Sequence, residues 1–517
     1  MELFHNLIFG FQVALGWQNL WYCFIGCFLG TLIGVLPGIG PVATIAMLLP
    51  ITFNLPPTPA LIMLAGIYYG ASYGGSTTAI LVNLPGESSS VVTCIDGYQM
   101  GKQGRAGPAL AIAAIGSFFA GCVGTILIAL FGPPLAELAF EFGAAEYFSM
   151  MVLGLISAVV LASGSLIKAI GMIFIGLLLG IVGTDVNSGI ARYSGLPAID
   201  LFGWHYDGFN VSELSDGIGF VSVAMGMFGF GEIISSLERT AIDRNVEVSK
   251  VKSLMPTWED IKMSAGPIAR GTAIGVIFGI LPGAHTVIAS FSSYTLEKKI
   301  AKDPSRFGKG AIEGVAGPES ANNAAAQTAF IPLLTLGIPT GAVMALMVGA
   351  MTIQGIAPGP QVMTSKPDLF WGMIASMWIG NLMLVILNLP LVGMWVQFLK
   401  IPYRLLFPGI ALFCAVGAYS LNNAAFDVGL TAVFGFFGYY CSRWGCEPAP
   451  LILGFVLGPL MEENLRRAML ISRGDPSVFF TRPISLGMLL VAFALLIMIL
   501  APQIRRKREE VITEGED

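Results

Sequence analysis

Charged residues are scarce in this sequence of 517 residues. Asp, Glu, Lys and Arg together make up 11% of the chain, and histidine occurs only 3 times, while 55% of the residues are hydrophobic. A soluble protein of this size would carry about 25% charged residues. With so few charges, the chain could not cover its apolar surface in water, and the balance therefore indicates an integral membrane protein.

Motifs for several kinds of chemistry are missing as well. The sequence contains no Gly-x-x-x-x-Gly-Lys-Ser/Thr loop, no zinc-ligand spacing and no nucleophile elbow. No basic patch with interleaved aromatic residues suggests nucleic acid. The 7 cysteines lie mostly in apolar runs, which is typical of small buried hydrophobes. We therefore expect neither an ATP-driven pump nor a nucleic-acid-binding protein nor an enzyme. An intramembrane enzyme stays a disfavoured alternative, which turnover of a membrane-embedded substrate would revive.

Glycine and proline, in contrast, are abundant, with 64 and 30 residues. Within apolar segments they favour close helix packing and interrupted helices. Runs long enough to cross about 30 Å of hydrocarbon lie roughly at 20–36, 107–133, 147–163, 165–183, 216–235, 264–281, 370–396, 404–420, 427–441 and 484–502. Shorter or interrupted runs, which suit re-entrant half-helices equally well, lie at 41–53, 59–84, 283–296, 322–338, 341–357 and 448–460. The fold class predicted is an all-α integral membrane protein with about 10–14 membrane segments.

An internal repeat organises these segments. The pattern Gly-Thr-x-Ile-Gly-Val at residues 30–35 returns at residues 271–276, and Leu-Pro-Gly follows both copies. Leu84-Pro85-Gly86 has a counterpart in Ile338-Pro339-Thr340, and the apolar stretch at 176–180 resembles that at 454–458. Broken segments in corresponding positions of two halves are typical of transporters. We favour inverted over parallel repeats, although the basic connecting loop argues mildly for the parallel arrangement.

The predicted domain boundaries follow from this repeat and from the distribution of charge. They are an interfacial N-terminal helix at 1–17, a first membrane repeat at 18–237, a charged connecting loop at 238–262, a second membrane repeat at 263–504 and a charged tail at 505–517. The basic tail follows a span, so the positive-inside rule places the C-terminus in the cytoplasm. Four arginines precede the same span, namely Arg466, Arg467, Arg473 and Arg482. Because both ends of one helix cannot be cytoplasmic, either these arginines are buried against protein or the segment before them is re-entrant.

The candidate substrate site lies where the first repeat breaks, at Pro85 and Gly86. A Pro-Gly break frees backbone amides, and such amides persist at membrane depth only beside protein or a wet cavity. The amides and the dipole at the start of the following helix favour an anion, and hydroxyl groups there add donors. The site residues predicted on this basis are Pro85, Gly86, Ser88, Ser89 and Ser90 from the first repeat, with Pro339, Thr340 and Gly341 from the second. The alternative is that Pro and Gly only kink packed helices.

Other polar residues complete the candidate site. Asn322 and Asn323 are adjacent amides in an apolar stretch, where unsatisfied burial is costly. The repeated Pro-Gly turns contribute Gly38, Gly40 and His285. The candidate ligands for a coupling ion are hard oxygen groups, namely Ser76, Thr77, Asn83 and Glu87. Small polar residues also serve helix packing in membranes, and that role stays open for these residues.

The same motifs resemble those of a known family. Four runs carry the resemblance, at 30–41, 69–105, 318–339 and 463–476. They include Leu-Pro-Gly-Glu-Ser-Ser-Ser at 84–90 and Pro-Glu-Ser-Ala-Asn-Asn-Ala at 318–324. These runs look like the large membrane subunit of tripartite tricarboxylate transporters. The resemblance implies a multi-pass protein of the bacterial inner membrane that acts with a small membrane subunit and a periplasmic solute-binding protein. It also implies carboxylate uptake driven by an ion gradient. His285 departs from this pattern, because a Gly would be expected there.

The mechanism expected is secondary active import of di- or tricarboxylates, such as citrate-like anions. We expect Na⁺ as the coupling ion, with H⁺ as the alternative, no other cofactor, and an elevator movement of re-entrant hairpins. An ion-conducting channel and an H⁺-coupled permease for another small organic anion are the alternatives. Whether the subunit forms homo-oligomers stays open.

Overall fold

Helices make up most of the chain, as the hydropathy predicts. The computed structural model describes residues 2–36, 40–161, 165–185, 188–193, 195–196, 199–201, 204–206, 209–210, 212–231, 234–235, 251, 253–281, 285–399 and 403–500. Four helices in this part are long and apolar enough to cross a membrane: Trp17–Val35, Ala106–Ala139, Trp258–Ile280 and Pro367–Asn388. The prediction of a helical membrane protein is thereby confirmed.

The chain divides into two compact units, each of which is built from two separate segments of the sequence. The first unit comprises Met1–Glu141 with Glu232–Gly417, and the second comprises Phe142–Gly231 with Ala418–Asp517. Units defined by contacts need not coincide with repeats. The boundaries proposed from the sequence therefore stay a prediction.

The helices of the first unit include both broken segments. They are α1 (Glu2–Ala14), α2 (Trp17–Val35), α3 (Pro41–Phe53), α4 (Pro57–Val82), the 3-10 turn Ser88–Ser90, α5 (Val91–Lys102), α6 (Ala106–Ala139), α10 (Trp258–Ile280), α11 (His285–Ile300), α12 (Glu313–Thr328), α13 (Phe330–Leu336), α14 (Ala342–Ile353), α15 (Gln361–Ser365), α16 (Pro367–Asn388) and α17 (Val392–Phe398). Another 3-10 turn, Pro304–Arg306, lies between α11 and α12. Helix α18 (Tyr403–Asn422) leads into the second unit.

The second unit combines helices with short strands. Its helices are α7 (Ala144–Leu161), α8 (Leu166–Gly180), α9 (Phe220–Ala224) with the π-helical turn Met225–Phe230, α19 (Ala425–Arg443), α20 (Pro448–Ile471), α21 (Val478–Thr481) and α22 (Pro483–Leu500). A 3-10 turn, Ser212–Leu214, precedes α9. The strands are β1 (Gly183–Thr184), β2 (Ala191–Arg192), β3 (Gly195–Leu196), β4 (Ile199–Leu201), β5 (Trp204–Tyr206) and β6 (Phe209–Asn210). They pair antiparallel as β1 with β2, β3 with β6 and β4 with β5.

These strands are the one departure from an all-helical chain in the described residues. They occupy a stretch that lies between two predicted spans and lacks the long apolar run of a membrane helix. Each pair is only two or three residues long. The hydropathy pattern carries no signal for such short pairs.

Glycines bring helices α2 and α4 into close contact. A Cβ atom added at Gly30 would lie 2.5 Å from the Ile67 carbonyl oxygen, and one at Gly34 would lie 2.3 Å from that of Ala71. Side chains at these positions would therefore push the two helices apart. Small residues spaced by four let membrane helices approach to backbone contact.

Glycines also bring helices α10 and α12 into close contact. A Cβ atom at Gly271 would lie 2.2 Å from the carbonyl oxygen of Gly317, and one at Gly275 would lie 2.2 Å from that of Ala321. The start of α10 is closed by a capping box, in which the Thr257 side chain accepts from the Asp260 amide. The sequence copy at 271–276 therefore packs through the same glycines as the original at 30–35.

Two arginines before the last apolar helix form ion pairs within the second unit. Arg466 contacts Glu462 at 2.7 Å and Asp185 at 3.2 Å, and Asp185 also pairs with Arg192. Arg482 pairs with Glu146, whose side chain is 2% exposed. Both arginine side chains stay partly exposed, at 42% and 47%, so they form ion pairs without being buried, and neither explanation offered for these charges is confirmed.

The N-terminal segment predicted at 1–17 is helical up to Ala14. It presents Phe4 and Ile8 outward, while Gly10 contacts the carbonyl oxygen of Trp371 in α16. The exposed apolar side chains suit a position at a membrane interface. The charged tail at 505–517 and much of the connecting loop at 238–262 lie outside the described residues.

Candidate functional site

Two helix breaks in the first unit share one backbone arrangement. Helix α4 ends at Val82; the next residue, Asn83, has a left-handed φ of 58°, and Leu84 and Pro85 follow. Helix α13 ends at Leu336; the next residue, Gly337, also has a left-handed φ, of 75°, and Ile338 and Pro339 follow. A left-handed residue closes a helix, and the proline beyond it prevents continuation. The Pro-containing breaks predicted from the sequence are therefore present in both halves.

The first break is held by its own side chains. The Ser89 hydroxyl donates to Glu87 Oε1 at 2.6 Å, and the Ser90 hydroxyl donates to the Glu87 carbonyl oxygen at 2.8 Å. The Glu87 amide in turn donates to Ser90 Oγ at 3.3 Å. Ser89 and Ser90 are thus engaged in the 3-10 turn that precedes α5, while Ser88 is exposed.

Gly86 fits the break closely against two helices. A Cβ atom there would lie 2.1 Å from the carbonyl oxygen of Gly34 in α2 and 2.5 Å from the Cα of Gly75 in α4. Both neighbours are backbone atoms, which cannot move aside independently of their helices. The glycine is therefore required by packing at this position.

A buried carboxylate joins the two halves of the chain beside this break. Glu319, in α12, is 1% exposed, and its carboxylate accepts a hydrogen bond from the Ser76 hydroxyl of α4 at 2.5 Å. It accepts a second bond from the Thr93 hydroxyl of α5. In the part of the chain that the structure describes, Glu319 forms no ion pair. The carboxylate is thus held by two neutral hydroxyls.

The two asparagines of α12 continue this connection. Asn322 Nδ2 donates to Glu87 Oε1 at 2.9 Å, so Glu87 is bound by both its own turn and the opposite half. Asn323 Nδ2 donates to the Ser117 hydroxyl of α6 at 2.7 Å. The oxygen of neither amide has a partner among the described residues. Both asparagines therefore lie in the polar cluster and keep an acceptor available.

The second break is buried, and one of its polar groups is unpaired. Pro339, Thr340 and Gly341 are all buried, and the Thr340 hydroxyl has no partner in the described chain. Gly341 begins helix α14. A hydroxyl buried without a partner is costly, so this position points to a polar ligand.

The remaining predicted site residues are dispersed. Asn83 is exposed, and Thr77 is buried with its hydroxyl directed to the Tyr73 carbonyl oxygen. Gly40 precedes α3 with open space around it. Gly38 lies outside the described residues, and for His285 only the backbone is described, as the first residue of α11. The structure therefore brings together Ser76, Glu87, Ser89, Ser90, Asn322 and Asn323. Of the residues predicted to bind the coupling ion, Asn83 lies apart on the surface.

Three residues of the cluster were missed as site residues by the sequence reasoning. These residues are Thr93, Ser117 and Glu319, and all three are buried. Glu319 binds the predicted Ser76, Ser117 binds the predicted Asn323, and Thr93 binds Glu319. Helical spacing offered one signal, because Glu319 and Asn322 are three apart and share a helix face. Thr93 and Ser117 carried no comparable signal in an apolar chain rich in small polar residues.

A small cavity lies within the first unit next to Ser76. Its volume is about 10 Å³, and its polar lining consists of Tyr73, Ser76, Thr77, Ser117 and Asn388. The cavity thus adjoins the hydroxyl that binds Glu319. Among the described residues, no group of three or more His, Cys, Asp or Glu could hold a metal ion, so any ligand here would meet hydroxyl and amide oxygens.

These features define a class of protein. Helices able to cross a membrane surround a buried polar cluster at a proline-broken segment, which is the arrangement of a membrane transport protein. The chain belongs to the tripartite tricarboxylate transporter TctA family, whose model matches residues 20–453. The resemblance noted in the sequence motifs is thereby confirmed.

Two relatives from Agrobacterium vitis extend this result. The chain is 59% identical over 514 residues to an "Uncharacterized 52.8 kDa protein in TAR-I ttuC' 3'region", with 99% of each chain covered. It is 63% identical over 242 residues to an "Uncharacterized protein in TAR-II ttuC' 3'region", covering 47% of this chain and 100% of the relative. No solved structure matches the chain.

Proposed function

We propose that the chain is the membrane-embedded permease subunit of a secondary active transporter that imports di- or tricarboxylates. It acts with a small membrane subunit and a periplasmic solute-binding protein in the bacterial inner membrane. The observation that carries this proposal is the polar cluster in which Ser76 and Thr93 bind Glu319 while Asn322 binds Glu87. A cluster that joins two broken segments at membrane depth is the kind of site around which such transporters move.

The substrate carboxylates bind at the two helix starts that follow the breaks. Helices α5 and α14 each contain 12 residues and begin just beyond Pro85 and Pro339. Free amides and a macrodipole of about half a charge at such ends attract an anion without any lysine or arginine. The exposed Ser88 and the unpaired Thr340 hydroxyl are the donors available there.

The starts of α5 and α14 lie in two structural repeats, which are inverted relative to each other. The order helix, Pro-Gly turn, helix, broken helix, helix occurs as α2 to α5 and again as α10 to α14. The close glycine contacts of α2 with α4 and of α10 with α12 support this correspondence. Both breaks belong to the same compact unit, which supports an elevator movement that carries them across the membrane as one body.

Na⁺ is the coupling ion in this scheme. The cluster offers hydroxyl, amide and carboxylate oxygens, which suit a hard cation. Glu87 and Glu319 would repel a carboxylate substrate, and a bound cation offsets that repulsion before the substrate moves. Proton coupling is the alternative, with one of the two carboxylates as the carrier.

Uptake by proteoliposomes tests the proposal. The chain is reconstituted with its small subunit and binding protein, and uptake of labelled citrate and related di- and tricarboxylates is measured with an inward Na⁺ gradient. We expect saturable uptake that requires both the binding protein and the gradient. Equal rates with and without Na⁺ would remove Na⁺ from the scheme, and conductance independent of the binding protein would indicate a channel. Mass spectrometry of the ligand retained by the binding protein identifies which carboxylate is carried.

A further inference from the structure

The cavity beside Ser76 has the size of a site for a single small ion. Its volume of about 10 Å³ is close to the space that one water molecule needs. Three helices form it, since Tyr73, Ser76 and Thr77 come from α4, Ser117 from α6 and Asn388 from the end of α16. A bare Na⁺ ion is no larger than a water molecule and fits this space, whereas a carboxylate substrate does not.

Two polar atoms of the cavity lining lack partners in the described chain. They are the Tyr73 hydroxyl and Asn388 Oδ1, in residues that are 3% and 4% exposed. The Asn388 amide nitrogen is already used, since it donates to the Leu384 carbonyl oxygen at 2.9 Å. An amide oxygen can only accept hydrogen bonds or bind a cation. Leaving these buried oxygens unsatisfied is costly, so the lining points to a ligand that they share.

Charge distinguishes an ion from a water molecule at this place. The Ser76 hydroxyl uses its proton toward Glu319, at 2.5 Å, which leaves its oxygen lone pairs for the cavity. Glu319 has no basic partner in the described chain, and an uncompensated charge at this depth is expensive. A cation on the Ser76 oxygen would polarise the hydroxyl and strengthen its bond to Glu319. A water molecule would supply no charge.

We infer that this cavity is a Na⁺-binding site formed by oxygens of Tyr73, Ser76, Thr77, Ser117 and Asn388, with Glu319 as the balancing charge behind Ser76. The inference rests on the proposed function, in which Na⁺ moves with the substrate. It places the ion between α4, α6 and α16 and not at Asn83, which is exposed. K⁺ is about as large as a water molecule, so the cavity volume does not decide between the two ions, and the choice of Na⁺ follows from the proposed coupling.

The test measures ion binding without transport. The thermal midpoint of the purified full-length protein is followed as NaCl replaces KCl at constant ionic strength. A ligand that binds only the folded state raises the midpoint in a saturable way, and we expect this for Na⁺. Tyr73→Phe and Asn388→Ala should each raise the half-saturating Na⁺ concentration about tenfold or more, because each removes one ligand to a charge.

Matched controls come from the same helices. Tyr69 lies one turn before Tyr73, and Asn381 lies two turns before Asn388; both are fully buried and neither lines the cavity. Tyr69→Phe and Asn381→Ala should therefore keep the half-saturation of the unmodified protein. If all four variants respond alike, or if KCl raises the midpoint as NaCl does, the inference is overturned.

Na⁺ binding and Na⁺-driven uptake, measured on the same variants, distinguish failure of the site from failure of the proposed function. Na⁺-driven uptake together with unchanged Na⁺ binding in Tyr73→Phe would refute the site and leave the coupling intact. Saturable Na⁺ binding that Tyr73→Phe weakens, combined with uptake that ignores the Na⁺ gradient, would support the site and refute the coupling.

Discussion

The carboxylate of Glu319 accepts a hydrogen bond from the hydroxyl of Ser76 at 2.5 Å, although the two residues lie 243 positions apart. Ser76 belongs to α4, the small-residue helix before the first break, and Glu319 belongs to α12, which precedes the second break. Every residue of α4 from Thr58 to Val82 is buried, as is every residue of α12 from Gly314 to Thr328. Because this charge is buried between α4 and α12, its hydrogen bond fixes the position of one helix relative to the other.

Removing the charge of Glu319 tests this role directly. Glu319→Gln keeps the size of the side chain and one acceptor oxygen, and the hydroxyls of Ser76 and Thr93 can rotate to accept from the new amide. We expect the protein to insert and fold but substrate uptake to fall about tenfold or more, because a hydrogen bond to a charged group contributes about 1.5–3 kcal/mol and 1.4 kcal/mol is about a factor of ten.

The measurement pairs uptake in proteoliposomes with the thermal midpoint in detergent. Glu297→Gln is a control, since Glu297 is a buried acid of the same unit that pairs with Arg270 and forms no ion pair with a residue of the cluster in the described chain. Loss of stability in Glu319→Gln with full uptake per folded molecule would show that the carboxylate is only structural.

Gly86 and Gly40 were both predicted as site residues, and the structure separates them. Gly86→Ala would place Cβ 2.1 Å from the Gly34 carbonyl oxygen, whereas Gly40→Ala meets nothing within 4 Å. Overpacking of this kind costs about 1–3 kcal/mol. We expect Gly86→Ala to lower the thermal midpoint and the yield of monodisperse protein, and Gly40→Ala to leave both unchanged. Equal stability of the two variants would contradict the packing at the break.

Much of this arrangement could be predicted from the sequence, because it depends on local signals. The break after Asn83 follows from proline chemistry, and the packing of α10 repeats that of α2 because the glycines at 271 and 275 match those at 30 and 34. The partner of Glu319 could not be predicted in this way. Which hydroxyl faces that carboxylate depends on how α4, α5 and α12 pack, and the sequence offers many serines and threonines of similar surroundings.

The division into two compact units was likewise hidden from the sequence. The stretches at 176–180 and 454–458 resemble each other, and in the structure they pack together: a Cβ atom at Gly180 would lie 2.5 Å from the Phe455 carbonyl oxygen. Resemblance between segments indicates a duplicated element, whereas contact depends on the tertiary arrangement. The sequence therefore shows that the two segments resemble each other, but it does not show that they touch.

Asp96 anchors the loop between α11 and α12. Its Oδ1 accepts from the amides of Gly308, Gly310 and Ala311 at 2.9, 2.8 and 2.8 Å, and its Oδ2 accepts from the Tyr294 hydroxyl at 2.9 Å. Asp96→Asn removes the charge that strengthens these bonds, and we expect a loss of about 2–3 kcal/mol in stability.

The loop should then become accessible to trypsin at its basic residues, Lys302, Arg306 and Lys309. Asp303→Asn serves as the control, because Asp303 lies in the same loop but is exposed and, among the described residues, forms hydrogen bonds only with Ser305. Rapid cleavage in Asp96→Asn and slow cleavage in Asp303→Asn is the expected pattern, and identical cleavage rates would rule out an anchoring role.

Thr340 is the residue at which the two-ended substrate site is most directly tested. Its side chain is 0% exposed, and its hydroxyl has no partner in the described chain, just before the start of α14. Thr340→Val removes the hydroxyl without changing shape. If that hydroxyl donates to a substrate carboxylate, KM should rise by up to about a hundredfold, because a bond to a charged group contributes about 1.5–3 kcal/mol. Folding should be unaffected, since valine ends the burial of an unpaired polar group.

Thr335→Val is the matched control, because Thr335 is equally buried five residues earlier but donates to the Ile331 carbonyl oxygen of its own helix. Ser88→Ala probes the other end of the site from the first break, where the serine is exposed. We expect KM to rise in Thr340→Val and Ser88→Ala and to stay constant in Thr335→Val, with all three proteins inserted at normal levels. Unmodified uptake in both Thr340→Val and Ser88→Ala would show that the substrate does not bridge the two helix starts.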